Sequence, residues 1–205
     1  AFAHVLEAMS SLVAEFGIDY IKWDHNRDLH EVVRTDGSGT DRPAVHAQTS
    51  ATYRLVDELR RRHPGLEIES CSSGGARVDL GVLERTDRVW TSDCNDALER
   101  VAIQRWTGLL VPPERMGTHI GPPTAHTTHR HLDLSLRMLV ALGGHAGLEW
   151  DITTCSADEL DALRAWSALY RELRPLLHGG DAVRSDHPDP ALVVGGVVAP
   201  DRSAA

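Results

Sequence analysis

Apolar residues recur at helical spacing through the first sixteen positions, at Val5, Leu6, Met9, Leu12, Val13 and Phe16. That stripe predicts an amphipathic helix, and Gly17 stands where a C-cap would end it. IDYIKW, from residue 18, predicts a short strand, followed by a polar loop with Gly37 and Gly39. Residues 43–62 predict a second helix around Tyr53, Leu55, Val56 and Leu59, stopped by Pro64-Gly65. The alternation then repeats. LEIESC, RVWTSD, MGTHIG and HAGLEWDI read as strands. RVDLGVLERT, NDALERVAIQRWTGLL, THRHLDLSLRMLVALGG and SADELDALRAWSALYRELRPLL read as helices. Ser156 with Glu159 three residues on predicts a capping box at the start of the last helix.

One helix followed by five strand–helix units predicts an α/β fold with a parallel sheet. A doubly wound sheet gathers its ligand at one switch point. A TIM (β/α)8 barrel turns every strand's C-terminal end toward one site. Here Lys22 and Asp24, Cys71, Asp93, His119, then Glu149 and Asp151 follow strand after strand. That distribution favours a partial TIM barrel of about five units over 1–180, with three earlier units expected upstream. DAVRSD and ALVVGGVVAP carry no helix between them, so 181–205 is expected to begin an all-β domain. A piece of a longer protein is the expectation.

Bulk composition narrows the function classes. The 205 residues are 41% hydrophobic and 25% charged, as in ordinary globular proteins. A net charge of -9 speaks against nucleic acid as a partner, since phosphate contacts need a basic face. No apolar run reaches the roughly 20 residues that span a bilayer, so no membrane partner is expected. Cys71, Cys94 and Cys155 are widely spaced and odd in number, which suggests free thiols and a cytoplasmic setting. Among 21 basic residues, Lys22 is the sole lysine.

Side chains alternate faces along a strand. Tyr20, Lys22 and Asp24 therefore share one face, and Ile21 and Trp23 the other. An ammonium beside Asp24 favours its ionised form, as a carboxylate nucleophile requires. A compact ammonium also suits several hydroxyls in a tight pocket better than a planar fork does. A lone lysine is equally what an arginine-rich composition can leave by chance. Asp93 ends another strand, and paired carboxylates are the equipment of glycoside hydrolysis. Asp24's charge would keep Asp93 protonated as the acid. Glycines after Cys71 would let the backbone approach a ligand, with Cys71 as a small pocket-lining side chain. His119, His126, His129 and His131 show no HExxH or i,i+4 pattern. No metal site is expected.

KWDHNR (22–27) resembles the KWDMNR motif of glycoside hydrolase family 36, the α-galactosidases. CSSGGARVDLGVLERTDRVWTSDCNDALER (71–100) resembles that family's CSGGGGRFDPG…WTSDNTDAIER segment, in the same order and at similar spacing. The resemblance implies retaining hydrolysis of terminal non-reducing α-galactosyl units from melibiose- and raffinose-type α-galactosides. Carried over position by position, Asp24 matches the nucleophile and Asp93 the acid/base. Lys22, Trp23, Asn26, Cys71 and Gly74 fall in the substrate-binding set, and Asp96 takes a supporting role. His25 stands where the family motif has methionine, and Cys94-Asn95 where it has Asn-Thr. No cofactor is implied, and the full-length protein is expected to be a homo-oligomer. The alternatives are a raffinose-synthase-like α-galactosyl transglycosylase in the same superfamily and a non-catalytic galactoside-binding fragment.

Overall fold

The computed structural model describes residues 1–30, 32–35, 37, 41–189 and 191–205. In chain order the elements are α1 (Phe2–Phe16), β1 (Tyr20–Asp24), β2 (Val33–Thr35), β3 (Asp41–Pro43), α2 (Val45–Arg62), β4 (Glu67–Cys71), α3 (Leu80–Arg85), β5 (Arg88–Trp90), α4 (Ala97–Thr107), β6 (Met116–Ile120), α5 (Leu134–Leu142), β7 (His145–Leu148), α6 (Ala157–Gly179), β8 (Asp181–Ser185) and β9 (Val194–Val198). The strand order is β1-β4-β5-β6-β7, with separate β2-β3 and β8-β9 pairs. β1 and β4, β4 and β5, and β6 and β7 pair in parallel. The expected α/β fold with a five-stranded parallel sheet is what the chain adopts.

Contacts divide the chain into two units, Ala1–Val89 and Trp90–Ala205. In the first, Leu6 and Val13 of α1 pack with Leu55, Val56 and Leu59 of α2 and with Leu66 and Ile68. Leu59 and Ile68 are fully buried, each worth about 1.5–3 kcal/mol of transfer free energy. Only part of the predicted α1 stripe faces this core. Leu6, Met9 and Val13 do, whereas Val5, Leu12 and Phe16 are exposed. Gly17 takes the left-handed C-cap at φ 60°.

In the second unit, Ile120, Ala141, Leu163, Trp166 and Tyr170 form the core. The Trp166 and Tyr170 rings stack at 5.4 Å, and Trp166 Nε1 donates to the Met138 carbonyl at 2.9 Å. Ser156 and Glu159 form the predicted capping box. β8 and β9 make an antiparallel hairpin, consistent with two strand segments and no helix between them.

Three expectations need correction. The loop after β1 holds the β2-β3 hairpin, whose three-residue strands carry no usable alternation; Gly39 lies outside the described residues. The helix expected from residue 128 begins at Leu134, so His129 and His131 precede it, and His129 adopts φ 58°. α4 stops at Thr107, short of Leu109 and Leu110, with Gly108 as its C-cap.

Candidate active site

The first unit assembles its polar groups where β1 and β4 end. Parallel pairing sets Lys22 opposite Glu69 and Asp24 opposite Cys71. The exposed–intermediate alternation of β1 turns Tyr20, Lys22 and Asp24 to one face. Ile21 and Trp23 pack on the other face, against the α1–α2 core. Trp23 lines a space among Tyr53, Val56 and Ile68, on the face opposite Lys22 and Asp24.

Asn26 ties the segment together. Its Nδ2 donates to Asp24 Oδ2 at 3.3 Å, and its Oδ1 accepts the Ser73 N–H at 2.6 Å. The His25 carbonyl accepts from Ser72 Oγ at 2.6 Å and from Arg77 at 3.0 Å. His25 is thus held by its backbone while its ring is exposed. Ser73 and Gly74 follow at φ 45° and 75°. The second of these left-handed positions suits glycine and turns the chain sharply beside Asn26. Cys71 is buried. Burial pushes its thiol above the ordinary value, and a hydrogen bond with Asp24 pushes the same way. The thiol is therefore a packing group, not an activated nucleophile.

Lys22 pairs with Glu69, Nζ to Oε1 at 3.7 Å. Glu69 is 1% exposed, and its Oε2 accepts the Tyr20 hydroxyl at 2.6 Å. Burial, followed by that hydrogen bond, raises the Tyr20 phenol well above its ordinary value. The sequence reading passed over Glu69. Its only signal is an acidic residue inside a strand bounded by Ile68 and Ser70.

In the second unit Asp93 is exposed in the bend after β5, three residues past the last strand residue, Trp90. The buried Arg100 of α4 fixes this bend. It donates to the Cys94 carbonyl at 2.7 Å, to the Ser92 carbonyl at 2.5 Å and to Thr91 Oγ1 at 2.5 Å. Its guanidinium lies 4.1 Å over the Trp90 ring. Nearby, His119 Nδ1 and Glu149 Oε2 are 3.0 Å apart, and Asn95 donates to the same Glu149 oxygen at 3.3 Å. Gly147 makes room for that imidazole, since a Cβ there would lie 2.8 Å from it. Asp151 instead caps its own turn through Thr153. Among the described residues no group of three or more His, Cys, Asp or Glu is placed to hold a metal ion, and none of the helices is long and apolar enough to cross a membrane.

Asp96 is fully buried as the α4 N-cap. Burial opposes its charge, but Thr128, the Glu99 and Leu98 amides and Arg130 outweigh it and hold the carboxyl below its ordinary value. Arg130 Nη1 lies 2.9 Å from both carboxylate oxygens. A depressed folded pKa adds stability that is fully present above the unfolded value near 4 and is lost as pH falls through the folded value. Asp96→Ala is expected to cost about 2–3 kcal/mol at neutral pH. The gap in thermal midpoint between parent and variant should hold steady above about pH 4 and narrow as the pH falls below it.

Parallel β–α units with charged groups past successive strand ends are the architecture of the α/β-barrel class. Comparison with known proteins gives the family. The Melibiase family model matches residues 1–180. An α-galactosidase of Escherichia coli is 47% identical over 205 residues, 100% of this chain and 28% of that protein. α-Galactosidase AgaA of Geobacillus stearothermophilus is 35% identical over 186 residues, 88% of this chain and 25% of that protein. A crystal structure of AgaA with 1-deoxygalactonojirimycin superposes at a TM-score of 0.93 and 33% identity, covering 98% of this chain and 28% of that one. The chain belongs to the Melibiase family. It spans about a quarter of the length of the curated relatives it matches.

Proposed function

We propose that this chain carries both catalytic carboxylates of a retaining α-galactosidase acting on terminal α-galactosyl units. The observation that carries the reading is the end of β1. Lys22 and Asp24 face away from the helix core there, and Asn26 buttresses Asp24. The family membership and the E. coli relative's name supply the substrate class. A doubly substituted variant of AgaA has been crystallised with raffinose, which suggests raffinose-type oligosaccharides.

Asp24 attacks the anomeric carbon as the glycosidic C–O bond breaks. The bonding pair leaves on the aglycone oxygen, which takes the Asp93 proton. Water then attacks the β-galactosyl ester of Asp24 with Asp93 as base, which frees α-galactose and restores both groups. Lys22 donates to sugar hydroxyls, while Cys71 and Gly74 form the wall beside them. Trp23 supports the strand from behind. No cofactor is needed in this sequence of steps. The free cysteines fit a cytoplasmic setting, and a homo-oligomeric full-length protein remains part of the reading.

The test is proton NMR of raffinose turnover by the full-length protein. α-Galactose is expected to appear first and mutarotate later. β-Galactose as the first product would overturn retention. Galactosylated sucrose as the main product, with galactinol as donor, would favour a transglycosylase.

A further inference from the structure

Glu69 is the most enclosed charged group near the strand ends of the first unit, and no step above uses it. Glu69 lies on β4 directly opposite Lys22 in the parallel register. Its Oε2 takes the Tyr20 hydroxyl at 2.6 Å. Its Oε1 is buried without a hydrogen bond and lies 3.7 Å from Lys22 Nζ. The Arg88 guanidinium sits 5.0 Å over the Tyr20 ring and pairs with Glu67, steadying the phenol. Two residues of β1, Tyr20 and Lys22, thus meet one carboxylate of β4.

A buried carboxylate is costly unless compensated, so an ion pair with Lys22 serves its stability. The pair also does something for Lys22. A lysine stem has four rotatable bonds and a mobile ammonium. Anchoring the ammonium against a fixed carboxylate removes much of that freedom before substrate arrives. The Lys22 side chain is still 37% exposed, so a substrate can reach it.

We infer that Glu69, held by Tyr20, is a positioning residue that presets the Lys22 ammonium for the galactosyl hydroxyls. This rests on the α-galactosidase reading and adds a second layer to it. Tyr20 keeps its proton through the neutral range and remains a donor to Glu69. Glutamine at position 69 could still accept the Tyr20 hydrogen bond, so Glu69→Gln removes the charge with little change of shape.

The experiment is a double-mutant cycle in the full-length protein with an aryl α-galactoside, using Glu69→Gln, Lys22→Met and the pair. Glu69→Gln should lower kcat/KM by about 10- to 100-fold, the scale of a displaced substrate-orienting group. In the Lys22→Met background it should cost no further activity, because there is no ammonium left to place. A purely structural Glu69 would lower the thermal midpoint without that coupling in kcat/KM. Unchanged kcat/KM in Glu69→Gln, or losses that simply multiply, would overturn the inference. If Glu69→Gln does not fold, Tyr20→Phe takes its place in the same cycle. A loss of about 3-fold that vanishes beside Lys22→Met supports the inference, and no loss overturns it. Asp24→Ala serves as the control. Turnover retained there removes the α-galactosidase reading itself, whereas an essential Asp24 with an indifferent Glu69 removes only the positioning role.

Discussion

Asp24→Ala in the full-length protein is expected to lose turnover of an aryl α-galactoside by about 10⁴-fold or more. Taking the nucleophile out of a covalent mechanism costs on the order of 10⁶ where it has been measured in a catalytic triad. The Cys71 thiol opposite Asp24 is buried and raised above its ordinary value. Azide should restore part of the rate by occupying the space that the carboxylate leaves. It would attack the anomeric carbon from the same side, so the product should be the inverted β-galactosyl azide. Wild-type turnover in the variant would remove Asp24 from the mechanism. An α-galactosyl azide would point to a different nucleophile.

Asp93→Ala should give the complementary pattern. Its loss is expected to be about 10²- to 10⁴-fold on raffinose, the range for a positioned proton donor. The sugar leaving group there cannot depart without a proton. An aryl α-galactoside with an acidic phenol needs little protonation, so its first step should survive. Without a base the ester of Asp24 should then accumulate, seen as a burst of phenol followed by a slow phase. Azide needs no base and should speed that second step, giving the retained α-galactosyl azide. Opposite anomers from the two variants would separate the two roles in one assay. Equal losses on raffinose and aryl substrate in Asp93→Ala, without a burst, would count against the acid/base role.

Elements set by local pattern were legible in the sequence. The α1 stripe, the Gly17 cap and the Ser156–Glu159 box each depend on residues within one or two turns. The shared face of Lys22 and Asp24 also follows from strand alternation alone. Glu69 was hidden because its meaning comes from register. LEIESC by itself puts Glu67 and Glu69 on one face, which reads as solvent. Glu67 does stay exposed, but Glu69 is enclosed beside Lys22, and that pairing spans 47 positions of sequence. The His119–Glu149 contact was hidden for the same reason, since β6 and β7 bring it together. Trp23 carries two readings: strand alternation puts it on the core side, where it packs, and its place in the motif puts it in the substrate set. The start of α5 falls later than expected because His129 and His131 read as capping or surface residues of its first turn, whereas the helix begins at Leu134.

Arg100 holds the bend that carries Asp93 chiefly by the carbonyls of Ser92 and Cys94. A main-chain oxygen is common to all twenty amino acids, so this grip cannot tell which side chains the bend displays. An exchange at Cys94, which Arg100 holds by its carbonyl alone, can therefore drift, or be selected, without loosening the adjoining Asp93 carboxylate. The bend separates two duties: its backbone, with the Thr91 and Ser92 hydroxyls, keeps the acid in place, and a side chain such as that of Cys94 can vary with whatever the acid must serve.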